Sequence, residues 1–271
     1  MSTGRLAVEG CHLHYAEAGA GPPALLIHGA GAYAGLFAPC VAELERSHHI
    51  LCYDRRGYSR SVHEPVRDFS LHVRDALQLI RERVGEPVHI VGWSAGATVA
   101  LRLAIAHPEW VSSLVLAEPP LQLKAPRPLA LAAVVRWELN RLSKGPRAGA
   151  ESFYRWVSQY RGQGRNAFDA YPDTWREELL RNFPALFAEI RIGSGALGEG
   201  LRRAELTALR MPIQILLGER SASVFAPAAR YLARVAPQSA LLPVPEASHM
   251  LPTDRPDAVA QAVRQATGVV A

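Results

Sequence analysis

The chain of 271 residues alternates short, mainly apolar segments with stretches of helical periodicity. The segments that predict strands are 6–8, 12–17, 24–28, 49–53, 88–91, 114–117, 213–217 and 240–244. Helical patterns lie near 36–46, 70–83, 96–106, 224–235 and 255–267. Strands that are apolar throughout and separated by helices predict an eight-stranded, mostly parallel sheet covered on both faces, which is an α/β fold. In such a sheet, ligands bind at the carboxyl ends of the strands.

The alternation stops between residues 119 and 207. This stretch begins with the proline-rich "EPPLQLKAPRPL", has a helical pattern, and contains about half of the chain's aromatic residues. We therefore predict a helical lid or cap over 119–207, inserted into a core formed by 1–118 and 208–271.

Composition excludes several classes of partner. The net charge is +5, but the basic residues, all arginines except Lys124 and Lys144, are scattered and lack interleaved aromatics, which argues against a nucleic-acid partner. The three cysteines are odd in number, which argues against a disulfide framework, and their spacing is not that of metal ligands. The N-terminus has no apolar core of a signal peptide, and no apolar stretch is long enough to span a membrane. We expect a cytoplasmic protein without membrane insertion; the oligomeric state stays open.

A serine stands between a predicted strand and a predicted helix in "VHIVGWSAGATVALRLA". A turn that presents Ser94 at the strand tip crowds the positions two before and two after it. Gly92 and Gly96 occupy those positions, as sterics require. The turn also places the Ser94 hydroxyl at a helix N-terminus, where free N–H groups favour an oxyanion. This context predicts a nucleophile.

The chain resembles the α/β-hydrolase family over its whole length. Besides "GWSAG", the motifs that carry the resemblance are "LLIHGAGAYAGLF", "YDRRGYSRS" and "PEASHMLPTDRPDAV". The resemblance implies that His249 is the general base. It also implies an oxyanion hole formed by the backbone N–H groups of Ala95 and Ala30, with His28 as a structural residue. No metal or other cofactor is expected.

The chain departs from the family pattern at the acid. Most relatives carry an aspartate in a G-x-x-D motif after the strand at 213–217, and this chain has Ser221 at the aspartate position. Glu219 is one substitute, if the loop shifts. Asp254 and Asp257 follow His249, where N-cap and first-turn positions in the last helix suit them better.

Glu118 is the other substitute, and it is our prediction for the acid. It ends an apolar strand and is followed at once by two prolines, as "SSLVLAEPPL" shows. A carboxylate at the end of a buried strand is costly to desolvate unless a partner faces it. Some family members, including haloalkane dehalogenases, carry their acid after this strand. We expect Glu118 to face His249.

The resemblance implies a serine hydrolase that cleaves a carboxylic ester, a lactone or a thioester of a small apolar molecule through an acyl-enzyme. Carbon–carbon bond hydrolysis and cofactor-free perhydrolysis are alternatives on the same fold. A different class, a non-catalytic receptor for a small ligand, is suggested by the missing aspartate. The sequence leaves the natural substrate and the acyl-chain preference open.

Overall fold

The computed structural model describes residues 1–66, 68–120, 128–193 and 201–269. Within these ranges the strands are β1 (Ser2–Val8), β2 (Cys11–Ala18), β3 (Pro23–Ile27), β4 (His49–Tyr53), β5 (Val88–Trp93), β6 (Val111–Ala117), β7 (Gln159–Tyr160), β8 (Arg165–Asn166), β9 (Ile213–Gly218) and β10 (Ser239–Val244). Eight of them form one sheet in the order β1-β2-β4-β3-β5-β6-β9-β10. β2 pairs antiparallel with β1 and β4, and the other pairs are parallel. The predicted eight-stranded α/β fold is confirmed.

Helices follow most of the strands. They are α1 (Ala38–Leu44), α2 (Ser70–Arg83), α3 (Ala95–Ala106), α4 (Pro128–Lys144), α5 (Pro146–Val157), α6 (Ala167–Ala170), α7 (Asp173–Arg181), α8 (Phe183–Gly193), α9 (Arg203–Ala208), α10 (Ala226–Val235), α11 (Leu251–Asp254) and α12 (Pro256–Thr267). Helices α3 and α12 both contact β5 and β6. Nearly every residue of these two strands is buried, so both faces of the central strands are covered.

The apolar strands are buried because of this double cover. Leu25, Leu26 and Ile27 are consecutive in β3 and have no exposed surface, although successive side chains of a strand point to opposite faces. Burial of a Leu or Ile side chain contributes about 1.5–3 kcal/mol, so continuous apolar strands stabilise the sheet on both sides.

Helices α4 to α8 and a small hairpin lie between β6 and α9, and we call residues 128–193 the insertion. The hairpin of β7 and β8 was not expected, since the sequence predicted helix throughout. Its turn contains Gly162 and Gly164, which have φ of 80° and 67°. Glycine adopts such left-handed conformations without a steric cost, so these two residues reverse the chain where periodicity alone indicates helix.

The sheet register brings three strand ends to one edge. Trp93, the last residue of β5, pairs with Ala117, the last residue of β6. Ala117 in turn pairs with Leu216 of β9, so β6 lies between β5 and β9. Ser94, Glu118 and the loop after Gly218 therefore leave the sheet side by side.

Candidate active site

Ser94 occupies a sharp turn between β5 and α3. Its φ and ψ are 53° and −121°, and its N–H donates to the carbonyl of Ala117 at 2.9 Å. A β-carbon on Gly92 would lie 2.6 Å from Ala97 Cα, and one on Gly96 would lie 2.0 Å from the carbonyl oxygen of Ile27. Both glycines are sterically required, as the spacing predicts. The strained turn holds the serine hydroxyl at the sheet edge.

Glu118 is fully buried and contacts His249. Its Oε2 lies 2.5 Å from His249 Nδ1, and its Oε1 accepts a hydrogen bond from the N–H of Gly218 at 2.9 Å. Each carboxylate oxygen therefore has a donor, which offsets the cost of desolvating the charge. Because Nδ1 faces the carboxylate, Nε2 is the ring nitrogen left to accept a proton from another group.

Residues from three separate parts of the chain hold His249 in place. Its ring stacks on Phe225 with a centroid distance of 3.9 Å and an interplanar angle of 7°. Its carbonyl accepts a hydrogen bond from the Trp93 indole at 2.8 Å. The preceding Ser248 donates its N–H and its hydroxyl to Asp254 Oδ2 at 2.7 and 2.6 Å. The ring and the main chain are thus both fixed.

Two of these contacts correct or extend the sequence analysis. The N-cap position predicted for Asp254 is wrong, since Arg255 caps α12 and Asp254 ends α11, where it bonds Ser248. Asp257 does lie in the first turn of α12. Phe225 carried no signal in the sequence, because its neighbour in the fold is 24 residues away along the chain.

The other candidate acid lies apart from this cluster. Glu219 is exposed, and its main chain is bonded to Val244 and to Arg161. Ser221, which stands where most relatives have the aspartate, is buried, and its hydroxyl has no hydrogen-bond partner within the described residues. The structure brings Glu118, and not Glu219, to His249.

The loop after β3 packs directly against Ser94. A β-carbon on Gly29 would lie 3.0 Å from Ser94 Cβ and 3.6 Å from its Oγ. In the described part of the chain, the Ala30 N–H has no hydrogen-bond acceptor. Ala95 is the first residue of α3, so its N–H has no partner within the helix. Neither N–H group predicted for the oxyanion hole thus has a main-chain acceptor within the described residues, and Ala30 lines the same cavity as Ser94.

His28 fixes the loop that carries Ala30. Its Nε2 accepts a hydrogen bond from the Arg55 N–H at 2.8 Å, so Nδ1 carries the proton and donates to the carbonyl of Gly29 at 2.8 Å. Burial, reinforced by the Arg55 charge, lowers the pKa of His28 well below its usual value. Both ring nitrogens are in use and the ring stays neutral, which suits a structural residue and not a base.

A cavity of about 50 Å³ lies between the serine and the insertion. It is lined by Gly29, Ala30, Ala32, Trp93, Ser94, Phe153, Tyr154, Val157, Leu179, His249 and Met250. The lining is mainly apolar, and Ser94 and His249 are both part of it. Phe153 and Tyr154 are the aromatics of the insertion that reach it, whereas Trp137 packs against Phe153, Phe183 and Phe187 inside the insertion.

The ranges that the structure describes contain no group of three or more His, Cys, Asp or Glu residues arranged to hold a metal ion. None of the helices described is both long and apolar enough to cross a membrane.

The sheet order, the serine turn and the histidine loop together have the arrangement of the α/β-hydrolase fold. A model of the alpha/beta hydrolase family matches residues 24–262, and the chain belongs to that family. It is similar to the pimeloyl-[acyl-carrier protein] methyl ester esterase of Nitrosomonas europaea, with 26% identity over 88% of this chain and 92% of the relative.

Other similarities cover less of the sequence or show the fold alone. The uncharacterized hydrolase YraK of Bacillus subtilis is 36% identical over 44% of this chain and 45% of the relative. The chain thus matches less than half the length of the first curated relatives. The 2-hydroxy-6-oxo-6-phenylhexa-2,4-dienoate hydrolase from Rhodococcus sp. strain RHA1 superposes with a TM-score of 0.81, at 20% identity, over 98% of each chain.

Proposed function

We propose that this protein is a serine hydrolase that cleaves a carboxylic ester, lactone or thioester of a small apolar molecule through an acyl-enzyme. The observation that carries the proposal is the buried Glu118–His249 pair, with Glu118 held by the Gly218 N–H, beside the serine turn. A carboxylate, an imidazole and a hydroxyl at one sheet edge are the groups that nucleophilic acyl transfer requires.

In the first half of the reaction, Ser94 Oγ attacks the substrate carbonyl carbon while His249 Nε2 takes the hydroxyl proton. The carbonyl oxygen becomes an oxyanion, which accepts hydrogen bonds from the N–H groups of Ala30 and Ala95. Glu118 stabilises the imidazolium that forms and keeps the proton of the resting ring on Nδ1. The carbon–oxygen or carbon–sulfur bond then breaks, and His249 gives its proton to the leaving group.

In the second half, water replaces the alcohol or thiol. His249 Nε2 removes a proton from the water as its oxygen attacks the acyl carbon of the Ser94 ester. The same two N–H groups stabilise the second oxyanion. When the ester bond breaks, the proton returns to Ser94 Oγ and the carboxylic acid leaves.

We propose that residues 119–207 act as a lid over this site, because Phe153, Tyr154, Val157 and Leu179 supply one wall of the cavity. Apolar walls favour an uncharged acyl group. The name of the Nitrosomonas europaea relative, a methyl ester esterase, supports an ester as the substrate class. The hypothesis of a non-catalytic receptor rested on the missing aspartate after β9. The Glu118 carboxylate, which follows β6 and contacts His249, removes that reason for it.

A covalent probe tests the proposal. A fluorophosphonate should add one label per chain, which peptide mass spectrometry should locate at Ser94. Ser94→Ala should lose both the label and the hydrolysis of p-nitrophenyl acetate, while Ser112→Ala, at an exposed serine of β6, should keep both. Saturable ligand binding by the wild type without product, or a label on another serine, would count against the proposal.

A further inference from the structure

The Tyr154 side chain connects the insertion to the loop that carries Ala30. Tyr154 lies in α5 and is 3% exposed. Burial raises the pKa of its hydroxyl, so the group stays protonated and acts as a donor. The hydroxyl oxygen lies 2.9 Å from the carbonyl oxygen of Gly31 and 2.7 Å from that of Leu179, and its single proton is shared between them.

The loop is shaped to receive this hydroxyl. Gly31 has φ of 73°, and a β-carbon there would lie 2.6 Å from Tyr154 Oη and 3.0 Å from Leu186 Cδ2. Only a glycine allows both the left-handed backbone and the close approach. At this point the Tyr154 side chain of the insertion is therefore in direct contact with the backbone of the loop at Gly31.

A chain of peptide groups runs from this contact to the predicted oxyanion donor. In a trans peptide the C=O and the N–H point in opposite directions, so fixing one fixes the other. Tyr154 holds the carbonyl of Gly31, and the N–H of the same peptide group, on Ala32, donates to the carbonyl of Gly29 at 3.2 Å. The peptide group of that Gly29 carbonyl carries the Ala30 N–H. Two hydrogen bonds thus connect the Tyr154 hydroxyl to the peptide group that carries the Ala30 N–H, and His28 Nδ1 holds the Gly29 carbonyl of that group as well, at 2.8 Å.

Asn182, at the end of α7, makes an independent contact with the same loop. Its Nδ2 donates to the carbonyl of Ala32 at 3.1 Å, and its Oδ1 accepts from the Ser59 N–H at 2.8 Å. The side chain is 3% exposed. The carbonyls of Gly31 and Ala32, one and two residues after Ala30, are therefore both bonded to the insertion.

We infer that Tyr154 is a positioning residue for the oxyanion hole, and that the insertion contributes to the chemical step as well as to the shape of the cavity. The inference rests on the proposed function, since it assigns a task to the Ala30 N–H. Tyr154 acts through Gly31 and Ala32, and its hydroxyl does not need to touch the substrate. Loss of the Tyr154 hydroxyl should therefore weaken stabilisation of the oxyanion more than it weakens binding of the substrate in its ground state.

The experiment compares Tyr154→Phe with Tyr171→Phe. The control also removes a tyrosine hydroxyl of the insertion that is bonded to the core, at Thr253 Oγ1, but away from the loop of Ala30. Removing a whole oxyanion donor costs about 10²–10³-fold in turnover. A misdirected donor should cost about ten- to thirtyfold in kcat for p-nitrophenyl acetate, with KM within about twofold. The Ki of 1,1,1-trifluoroacetone, whose adduct with Ser94 is an oxyanion, should rise by the same factor as kcat/KM falls.

A merely structural hydroxyl would give a different result. If Tyr154→Phe and Tyr171→Phe have the same kcat, or if kcat falls while the Ki of the ketone stays unchanged, the inference is wrong. Should Tyr154→Phe fail to fold, Asn182→Asp decides: it keeps the acceptor for Ser59 and loses the donor to Ala32, so kcat should again fall with the ketone affinity. Wild-type protein that shows no hydrolysis dependent on Ser94 would instead overturn the proposed function itself.

Discussion

Glu118→Gln is the substitution that most directly tests the arrangement of the site. The carboxylate accepts one hydrogen bond from His249 Nδ1 and one from the Gly218 N–H, both in a fully buried position. A glutamine has one acceptor oxygen and one donor NH₂ in the same volume. Whichever way the amide turns, its NH₂ faces a group that needs an acceptor.

The two orientations have different costs. If the NH₂ faces Gly218, two buried donors oppose each other, at a cost of about 1–3 kcal/mol. If it faces His249, Nδ1 must be the unprotonated nitrogen, and the proton moves to Nε2, which then cannot accept one from Ser94. The wrong tautomer in such a triad lowers turnover by about 10⁴-fold, or about 5.4 kcal/mol at 1.36 kcal/mol per decade. We expect a loss of at least about a hundredfold.

The assay is the kcat of p-nitrophenyl acetate hydrolysis with the melting temperature measured in parallel. A change of about 1 kcal/mol moves the Tm of a chain of this size by about 2–4 °C, so the Tm of Glu118→Gln should stay within a few degrees of wild type. The exposed Glu219 provides the matched control, and Glu219→Gln should keep wild-type turnover. The reverse pattern would assign the acid to Glu219, and two fully active variants would indicate a Ser–His dyad or an acid not yet identified.

Four further predictions follow from packing and burial. Trp137→Ala should lower the free energy of unfolding by about 3–5 kcal/mol, because the ring is packed inside the insertion, while leaving relative rates on acetyl and butyryl esters unchanged. Val157→Ala, which enlarges the cavity, should raise the butyryl-to-acetyl rate ratio; equal ratios in both variants would refute this distinction. In Gly218→Ala, the new β-carbon would lie within 2.7 Å of the carbonyl oxygens of residues 247 and 248, so turnover should fall as the N–H bonded to Glu118 moves; unchanged kcat would contradict it. Burial and neighbouring arginine charges lower the pKa of His72 well below 6.5, so the unfolded chain binds the extra proton and stability falls as the pH drops below about 6.5. His72→Gln should reduce that pH slope in urea unfolding by up to about 1.4 kcal/mol per pH unit, and an unchanged slope would show that His72 does not titrate between the two states.

The sheet was largely predictable from the sequence because its strands are buried on both faces. Such strands appear as continuous apolar runs, and the predicted runs 24–28 and 213–217 agree with β3 and β9 within a residue or two. The hairpin of β7 and β8 was missed because two-residue strands have no periodicity. Its first strand is followed by Arg161, which donates hydrogen bonds to the carbonyls of Glu219, Arg220 and Ser221, and such contacts with distant residues leave no local pattern.

The site was predictable where it depends on strand ends. Ser94 and Glu118 each follow an apolar run, and neighbouring parallel strands end at one edge, so their proximity follows from the strand order. The contacts of Phe225 and Tyr154 were not predictable, since each depends on how distant parts of the chain pack together, and the contact of Asp254 depends on the path of the chain between Ser248 and the end of α11. Neither a stacking contact between two rings nor a hydrogen bond from a side-chain hydroxyl to a main-chain carbonyl produces a pattern in the linear sequence.

The left-handed backbone of Ser94 has a practical consequence for engineering. A residue with a β-carbon at φ 53° and ψ −121° is strained by about 1–3 kcal/mol, and no side-chain hydrogen bond of Ser94 offsets this strain within the described structure. A glycine at position 94 would lose more conformational entropy on folding than serine does, but this cost offsets only part of the strain that it relieves. A library ranked by melting temperature would therefore place Ser94→Gly at or above the parent protein. Thermostability selection on this scaffold thus favours loss of the proposed nucleophile, and it has to be coupled to a selection on turnover.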